Sequence, residues 1–526
     1  MRALLIRFLI PAVVVTGVVL ALTSTSSNGP HTERSASASA PRAPAGPPAS
    51  PPRRPYAILL VLDEFPGDSL LDAASHIDPV RYPNFAALAA DGTWFKNAYS
   101  VYDSTTKAVP LILDGIRPHP RTSPDRRDHP QSIFDMFARH GYRLVTSEEG
   151  TAMCPPSLCV GGRTRRPAIL PHLGHGRPER FDRFIRTIRP GRRPTFWMKH
   201  ALLPHGPYLY LPSGARTRVG SRDPLPGMLT VPGFHDAFLT RHNEQRYLLQ
   251  LGFVDHLLGR LLRRLKRLGI YDDTLIAVTA DHGIAFQVGV ETRRSVNDSN
   301  VEELTPVPLI IKAPGQHRGR VSRVYARTLD VTPTIADVLG YRLGYRADGR
   351  SAFSPAVRRR QTISLTTRDF SARVRISGRR WEARRGAVVR RRMRQFGSGD
   401  WASLYAGIGP HRALIGHQPD ALQHVAAAGV RGSIAMAAEL GHVNRAGVVP
   451  AQIAGDLRGG TPGQRRDLAV AVNGRIEAVG RSFYLTGDRT EHYALMVPEE
   501  SLHDGPNLVE VYEVTPGGAL RLLVHS

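Results

Sequence analysis

Two short runs, AILLVL at 57–62 and TLIAVTA at 274–280, constrain this chain more than any other feature. Neither carries a charge, yet the first closes on Asp63-Glu64 and the second on Asp281-His282. A continuous apolar run ending in a polar residue is the signature of a strand buried in a parallel sheet, with its carboxyl end emerging at a working surface. Ligand sites in open α/β sheets gather at such ends. The runs therefore predict an α/β protein, a mostly parallel sheet flanked by helices, with acids and an imidazole at the tips of two strands.

The rest of the catalytic-sized portion fits that plan. Asn84 to Asp91 and Ser132 to His140 read as amphipathic helices, and Arg143–Thr146, Thr195–Met198 and Leu275–Thr279 as strands. The clearest helix is expected from Tyr247 to Leu268, where Leu251, Val254, Leu258, Leu261, Leu265 and Leu268 keep a three-and-four spacing and Gly269 stops the pattern. After about residue 346 the texture changes. Arginine runs at 358–360 and 390–392 give way to alternation, and 468–472, Asn473-Gly474 and 475–479 spell a hairpin, because Asn-Gly supplies the positive φ angles of a two-residue turn. Residues 56–345 are thus expected to form the catalytic domain, and 346–526 a basic, β-rich region.

Residues 1–55 set the compartment. Phe8 to Leu22 is an uncharged apolar run preceded by Arg2 and Arg7, the asymmetry that holds an N-terminus in the cytoplasm. Residues 1–22 are expected to be a signal anchor or a signal peptide, and the Pro/Ser/Ala-rich stretch 23–55 a linker. This predicts a membrane-anchored protein with an exoplasmic catalytic domain, or a secreted one if the segment is cleaved. The only two cysteines, Cys154 and Cys159, are expected to pair locally, since an oxidising compartment permits it and the loop is easily closed.

Lys plus Arg total 70 against 45 Asp plus Glu, a net +25, enough to attract a polyanion. Of the 70, 65 are Arg, a bias that GC-rich coding produces without selection for a ligand. On the predicted long helix Arg260, Arg263, Arg264 and Arg267 lie off the leucine stripe with no stacking aromatics, so they read as a wet face and not a nucleic-acid surface. No protein partner can be inferred.

Four places offer chemistry beside turns: Asp63-Glu64, Ser104-Thr105-Thr106-Lys107, His205 in LPHGPY, and Asp281-His282 in TADHG. Singly, each is as well explained by a cap or a hydrogen-bonded turn. Together, carboxylates, an imidazole and a hydroxyl make a ligand set for one divalent cation, with a threonine for it to activate.

The order and context of these phrases resemble the sulfatase-like branch of the alkaline phosphatase superfamily. The resemblance is carried by AILLVLDEF, RYPNFAALAADGTWFKNAYS, STTKAVPLILDG, LPHGPY, YDDTLIAVTADHG, VPLIIKAPG and LDVTPTIADVLG, covering Ala57 to Gly340 in the family's order. It implies an alkaline-phosphatase-like fold, metal ligation by Asp63, Asp281 and His282, and a nucleophile at Thr105, the position that counting back from Pro110 selects over Thr106 in the Thr-x-x-x-x-Pro spacing of phosphoethanolamine transferases. Glu64 falls at a second acidic position, as a further ligand or as a partner of one. His205 matches the histidine that contacts substrate oxygens or the leaving group. Lys107 is expected either to stabilise transferring oxygens or to be merely exposed.

Departures from the family matter as much. Dedicated sulfatases mature a Cys or Ser to formylglycine, which a threonine cannot become. The decoy CPPSL at 154–158 lacks the final Arg of that motif. Where sulfatases tend to place Asn, this chain has His282, which favours Zn²⁺ or Mn²⁺ over Ca²⁺. The expectation is an exported, metal-dependent hydrolase or transferase acting on a phosphoester, a head-group phosphodiester of an anionic lipid or cell-envelope polymer, through Thr105. A sulfuric ester hydrolase is one alternative. A catalytically silent binder of anionic polymer or lipid is the other.

Overall fold

The computed structural model describes residues 54–218, 234–290, 293–294, 296–367, 369–427 and 429–526. The expected anchor or signal segment 1–22 and nearly all of the linker lie outside the described residues. Among the described residues, no helix is long and apolar enough to cross a membrane.

A seven-stranded sheet forms the centre. Its strands are β1 (Tyr56–Asp63), β2 (Thr93–Phe95), β3 (Arg143–Ser147), β4 (Thr195–Pro204), β5 (Thr274–Ala280), β6 (Leu309–Lys312) and β7 (Arg320–Ser322), in the order β3-β4-β1-β5-β6-β2-β7. β1 runs parallel to β4 and β5, and β3 to β4, while β6 is antiparallel to both its neighbours. Every residue of β1, β4 and β5 is buried, which accounts for the unbroken apolar lettering of β1 and β5. Val61 stands opposite His200 on one side and Thr279 on the other, and a register shift then sets Asp63 against Pro204. The carboxyl ends of β4, β1 and β5 therefore finish side by side, and that edge carries the site.

Helices form two packed groups. Ala237–Arg267 packs on both Pro83–Asp91 and Arg177–Thr187, and Thr105–Asp114 on both Ile133–Arg139 and Val331–Leu339. The expected short elements all form, Ile133–Arg139 with a capping box between Ser132 and Asp135. Two expectations fall short in length for one physical reason. The long helix begins at Ala237, ten residues before the expected start at Tyr247, capped by Asp236 whose side chain accepts from the Leu239 amide. β4 extends past Met198 through Lys199 and His200. In both cases the extra segment is polar in sequence yet buried: Glu244 is ion-paired with Arg241 and Arg392, and Lys199 with Glu149. Apolar periodicity cannot register burial that is achieved by pairing.

The region beyond 346 is β-rich as expected, with two four-stranded antiparallel sheets. The hairpin forms between Asp467–Val472 and Arg475–Arg481, its turn using positive φ at Asn473 and Gly474. The expected disulfide between Cys154 and Cys159 is present. What the sequence reading lacked is a 19-residue helix, Gly378–Phe396, which holds the 390–392 arginine run. That run is not simply basic surface. Arg392 is buried against Glu244, Arg391 spans Glu244 and Glu303, and Arg385 makes a two-pronged pair with Asp68 at 2.8 and 2.6 Å. These arginines fasten the helix to segments that support the site.

Arg385 and Asp68 are both nearly inaccessible. Removing one partner strands the other charge in the interior, so Arg385→Ala is expected to destabilise by about 3 kcal/mol, read as a fall in urea midpoint. An unchanged midpoint would show that the pair is not a structural tie.

Candidate active site at three strand ends

Three turns deliver the side chains. β1 ends in Asp63 and passes directly into Glu64, whose φ of 58° lies in the left-handed region that non-glycine residues seldom adopt. The conformation is held from several sides: the Glu64 amide donates to Asp281 Oδ1 at 3.2 Å, and the Tyr247 hydroxyl donates to the Glu64 carbonyl at 3.2 Å. β5 ends at Ala280, and the Asp281 carbonyl accepts from Ser100 Oγ at 2.5 Å, tying it to the loop that leads to Thr105. Gly283 is required by contact, since a Cβ there would sit 2.6 Å from the Glu303 carbonyl oxygen. β4 ends at Pro204, followed by His205, whose carbonyl accepts from the Gln250 amide group and from Arg177.

Thr105 is the first residue of helix Thr105–Asp114. Its hydroxyl lies 3.4 Å from Asp63 Oδ1 and 3.4 Å from His282 Nε2. Thr106, the competing nucleophile, turns its hydroxyl to Ser104 at 3.2 Å. Of the two hydroxyls, that of Thr105 is therefore the one beside Asp63 and His282.

Asp63, Asp281 and His282 each offer a ligand atom within 4.8 Å of the others, and all three are fully buried. Among the described residues, Asp63 Oδ2 and Asp281 Oδ2 have no hydrogen-bond donor. His282 donates Nδ1–H to the Gly283 carbonyl at 2.9 Å, which leaves Nε2 bare, 3.4 Å from Asp281 Oδ2. Burial, then the adjacent Asp281, drives Asp63 well above the usual carboxylate range, and burial pushes Asp281 up to about 7 and His282 down. Lone pairs and carboxylates converging in a dry pocket repel one another unless a cation lies between them. The donor set fits a divalent metal ion.

Glu64 does not join that trio. It faces Arg293 at 3.1 Å, Arg294 at 3.4 Å and His205 Nε2 at 3.4 Å. Burial alone would raise its pKa, but Arg293, His205 and Arg294 together outweigh burial and hold it well below the usual range. The expectation of Glu64 as a further ligand is thus corrected to a carboxylate that anchors two guanidinium groups. His205 is at the site: it donates Nδ1–H to the Gly206 carbonyl and turns Nε2 toward Arg293 at 3.4 Å, with burial pushing its pKa down to about 3. Lys107 is not brought in. Its ammonium donates to the carbonyls of His119, Pro120 and Thr122 at 3.1, 3.0 and 2.7 Å, so the transferring-oxygen role expected for it has no free donor there. Arg293 and Arg294 supply the positive charge instead, and the charge of Arg294 also reaches Asp63 and His282. In a chain with 65 arginines, nothing in their lettering set this pair apart.

A mostly parallel α/β sheet with this trio at its strand tips defines the alkaline phosphatase-like class. The sulfatase family model matches residues 55–341, more than half of the chain, and the chain belongs to that family. Among curated proteins it is similar to the multifunctional alkaline phosphatase superfamily protein PehA of Trinickia caryophylli, 38% identical over 100 residues that make up 19% of either protein. It is also similar to an endo-4-O-sulfatase of Bacteroides thetaiotaomicron, 24% identical over 156 residues, 29% of this chain and 30% of the relative. The matched stretches thus span about a fifth to a third of these relatives' length. Among solved structures, the phosphonate monoester hydrolase of Agrobacterium radiobacter aligns over 59% of this chain and 80% of its own, with 20% identity and a TM-score of 0.44.

If a cation balances the trio, metal-stripped protein should melt higher when Mn²⁺ or Zn²⁺ is added, by the equivalent of about 2.7 kcal/mol at a hundredfold excess over Kd. Asp281→Asn removes one of the opposed charges. Stripped, this variant should melt above stripped wild type, and it should respond weakly to metal. Calorimetry showing no metal response in wild type would contradict the assignment.

Proposed function

We propose that the chain is a divalent-metal-dependent hydrolase or transferase that cleaves a phosphoester, a head-group phosphodiester, through Thr105 as nucleophile. The carrying observation is the Thr105 hydroxyl, at a helix N-terminus and 3.4 Å from both Asp63 and His282. A cation held by Asp63, Asp281 and His282 would supply the positive charge that favours the deprotonated hydroxyl and polarises the ester. The imidazole in this donor set favours Zn²⁺ or Mn²⁺ over Ca²⁺.

The protein's own groups divide the remaining work. Thr105 oxygen forms the bond to phosphorus as one ester alcohol departs, and the other ester stays on phosphorus, leaving a threonine-bound phosphodiester until water, or an acceptor alcohol in transfer, displaces Thr105 and takes the group. The N-terminus of helix Thr105–Asp114 and the guanidinium groups of Arg293 and Arg294 offset the negative charge carried by the equatorial oxygens. His205, held neutral by burial, lines the same side of the site with Nε2 beside Arg293 and Glu64. Glu64 keeps the two arginines in place.

A sulfate ester is the second reading, supported by relatives named as sulfatases, such as the endo-4-O-sulfatase. We also infer export. The Cys154–Cys159 disulfide supports an oxidising compartment, as does the apolar run 8–22 behind Arg2 and Arg7. An anionic lipid or envelope polymer is then the accessible ester, with the membrane reached through the N-terminal segment.

Thr105→Ala should lower turnover of an aryl phosphodiester by roughly 10⁴-fold while Thr106→Ala keeps most of it. Mass spectrometry of the wild type, quenched during turnover, should find the retained phosphate ester on Thr105. Phosphate on Thr106, or turnover of aryl sulfate alone, would refute this reading.

A further inference from the structure

The C-terminal region reaches the nucleophile loop through one hairpin, Thr362–Thr366 paired with Arg373–Ser377. The Thr366 amide donates to the Val101 carbonyl at 2.9 Å, and the rings of Phe370 and Tyr102 pack with centroids 5.5 Å apart. The Lys107 ammonium, two residues beyond the nucleophile, lies 5.5 Å from the Phe370 ring. Ser100 Oγ bonds the carbonyls of both Tyr102 and Asp281, so this wall is joined directly to the strand tip at the reaction centre.

Between the hairpin and residues 117–120 an open cleft of about 540 Å³ is lined by Tyr102, Arg117, His119, Thr366, Phe370 and Arg373, among others. Arg117 enters from the catalytic domain and Arg373 from the hairpin. Burial, then Arg327 and Arg373, push the Arg117 guanidinium below its usual pKa, which places like charges around one space. Asp330 is balanced by Arg327 and Arg360, whereas Asp369 accepts from neutral Thr367 and Ser371 within the hairpin, and exposed Asp348 accepts from the Arg117 backbone amide and partly offsets its guanidinium. Among the described residues, Arg373 bonds the neutral Ser364 hydroxyl, at 3.2 Å. Two guanidinium groups lining one cleft together with the Phe370 ring form a receptor for a planar or ring-borne anion.

We propose that this cleft binds a second anionic group of the substrate, a carboxylate, sulfate or phosphate carried apart from the ester that Thr105 attacks. This inference rests on the Thr105 reading and narrows it: the substrate is at least dianionic, and the C-terminal hairpin selects it.

The probes are phenyl 4-nitrophenyl phosphate and its analogue with a carboxylate at the 4-position of the phenyl ring. Calorimetry with Thr105→Ala protein should show the carboxylated diester binding roughly tenfold more tightly, with the preference lost in Thr105→Ala/Arg373→Ala and Thr105→Ala/Arg117→Ala. Arg373 is exposed on a hairpin, so its variant leaves the fold intact if Arg117→Ala does not. Equal affinity for the two diesters, or a preference that survives both substitutions, overturns the proposal. Wild-type kinetics separate it from the catalytic reading: a binding preference without turnover of either probe would sink the phosphodiester assignment and leave the subsite standing.

Discussion

Two carboxylates, Asp63 and Asp281, are buried within reach of each other at the tips of adjacent parallel strands, and the arrangement around them follows from that cost. Parallel pairing of β1 with β5 brings the tips together, and the dry surroundings make the opposed charges expensive. No arginine or lysine side chain bonds directly to either carboxylate among the described residues, since Arg293 and Arg294 are drawn aside by Glu64. A cation pocket and an anion-facing arginine pair are thereby kept apart within one site. Glu64 makes that partition, paired with both guanidinium groups from a left-handed turn directly after Asp63.

The helix Gly378–Phe396 extends the same logic outward. Glu303 accepts from the Phe286 amide, in the loop that follows His282, and from Arg391. Arg391 and Arg392 also hold Glu244, while Arg385 holds Asp68 soon after the Asp63-Glu64 turn. The basic composition beyond residue 346 thus contributes buried ion pairs to the support of the strand tips, and at the 362–377 hairpin it contributes charge to a cleft beside the nucleophile.

Much of this was legible in the letters where burial and hydrophobicity coincide. β1 and β5, the leucine stripe and the Asn-Gly turn all appear as written, and Asp63, Thr105, Asp281 and His282 converge. Legibility failed where a residue is buried by a partner distant in sequence. Lys199 and Arg392 are charged in sequence and interior in the fold because Glu149 and Glu244 meet them. Lys107 was read from its two-residue distance to Thr105, but a helix turns successive side chains about 100° apart, and its ammonium ends on the carbonyls of 119–122. Glu64 is adjacent to Asp63 in the letters, but the two arginines that claim its carboxylate, Arg293 and Arg294, lie some 230 residues away in sequence.

Anomalous diffraction from a crystal equilibrated with Mn²⁺ tests the convergence most directly. The account predicts one strong peak enclosed by Asp63, Asp281 and His282, with Thr105 Oγ1 facing it and Glu64 still paired with Arg293. A crystal with no peak there, or with the ion on Glu64 and away from His282, would contradict it.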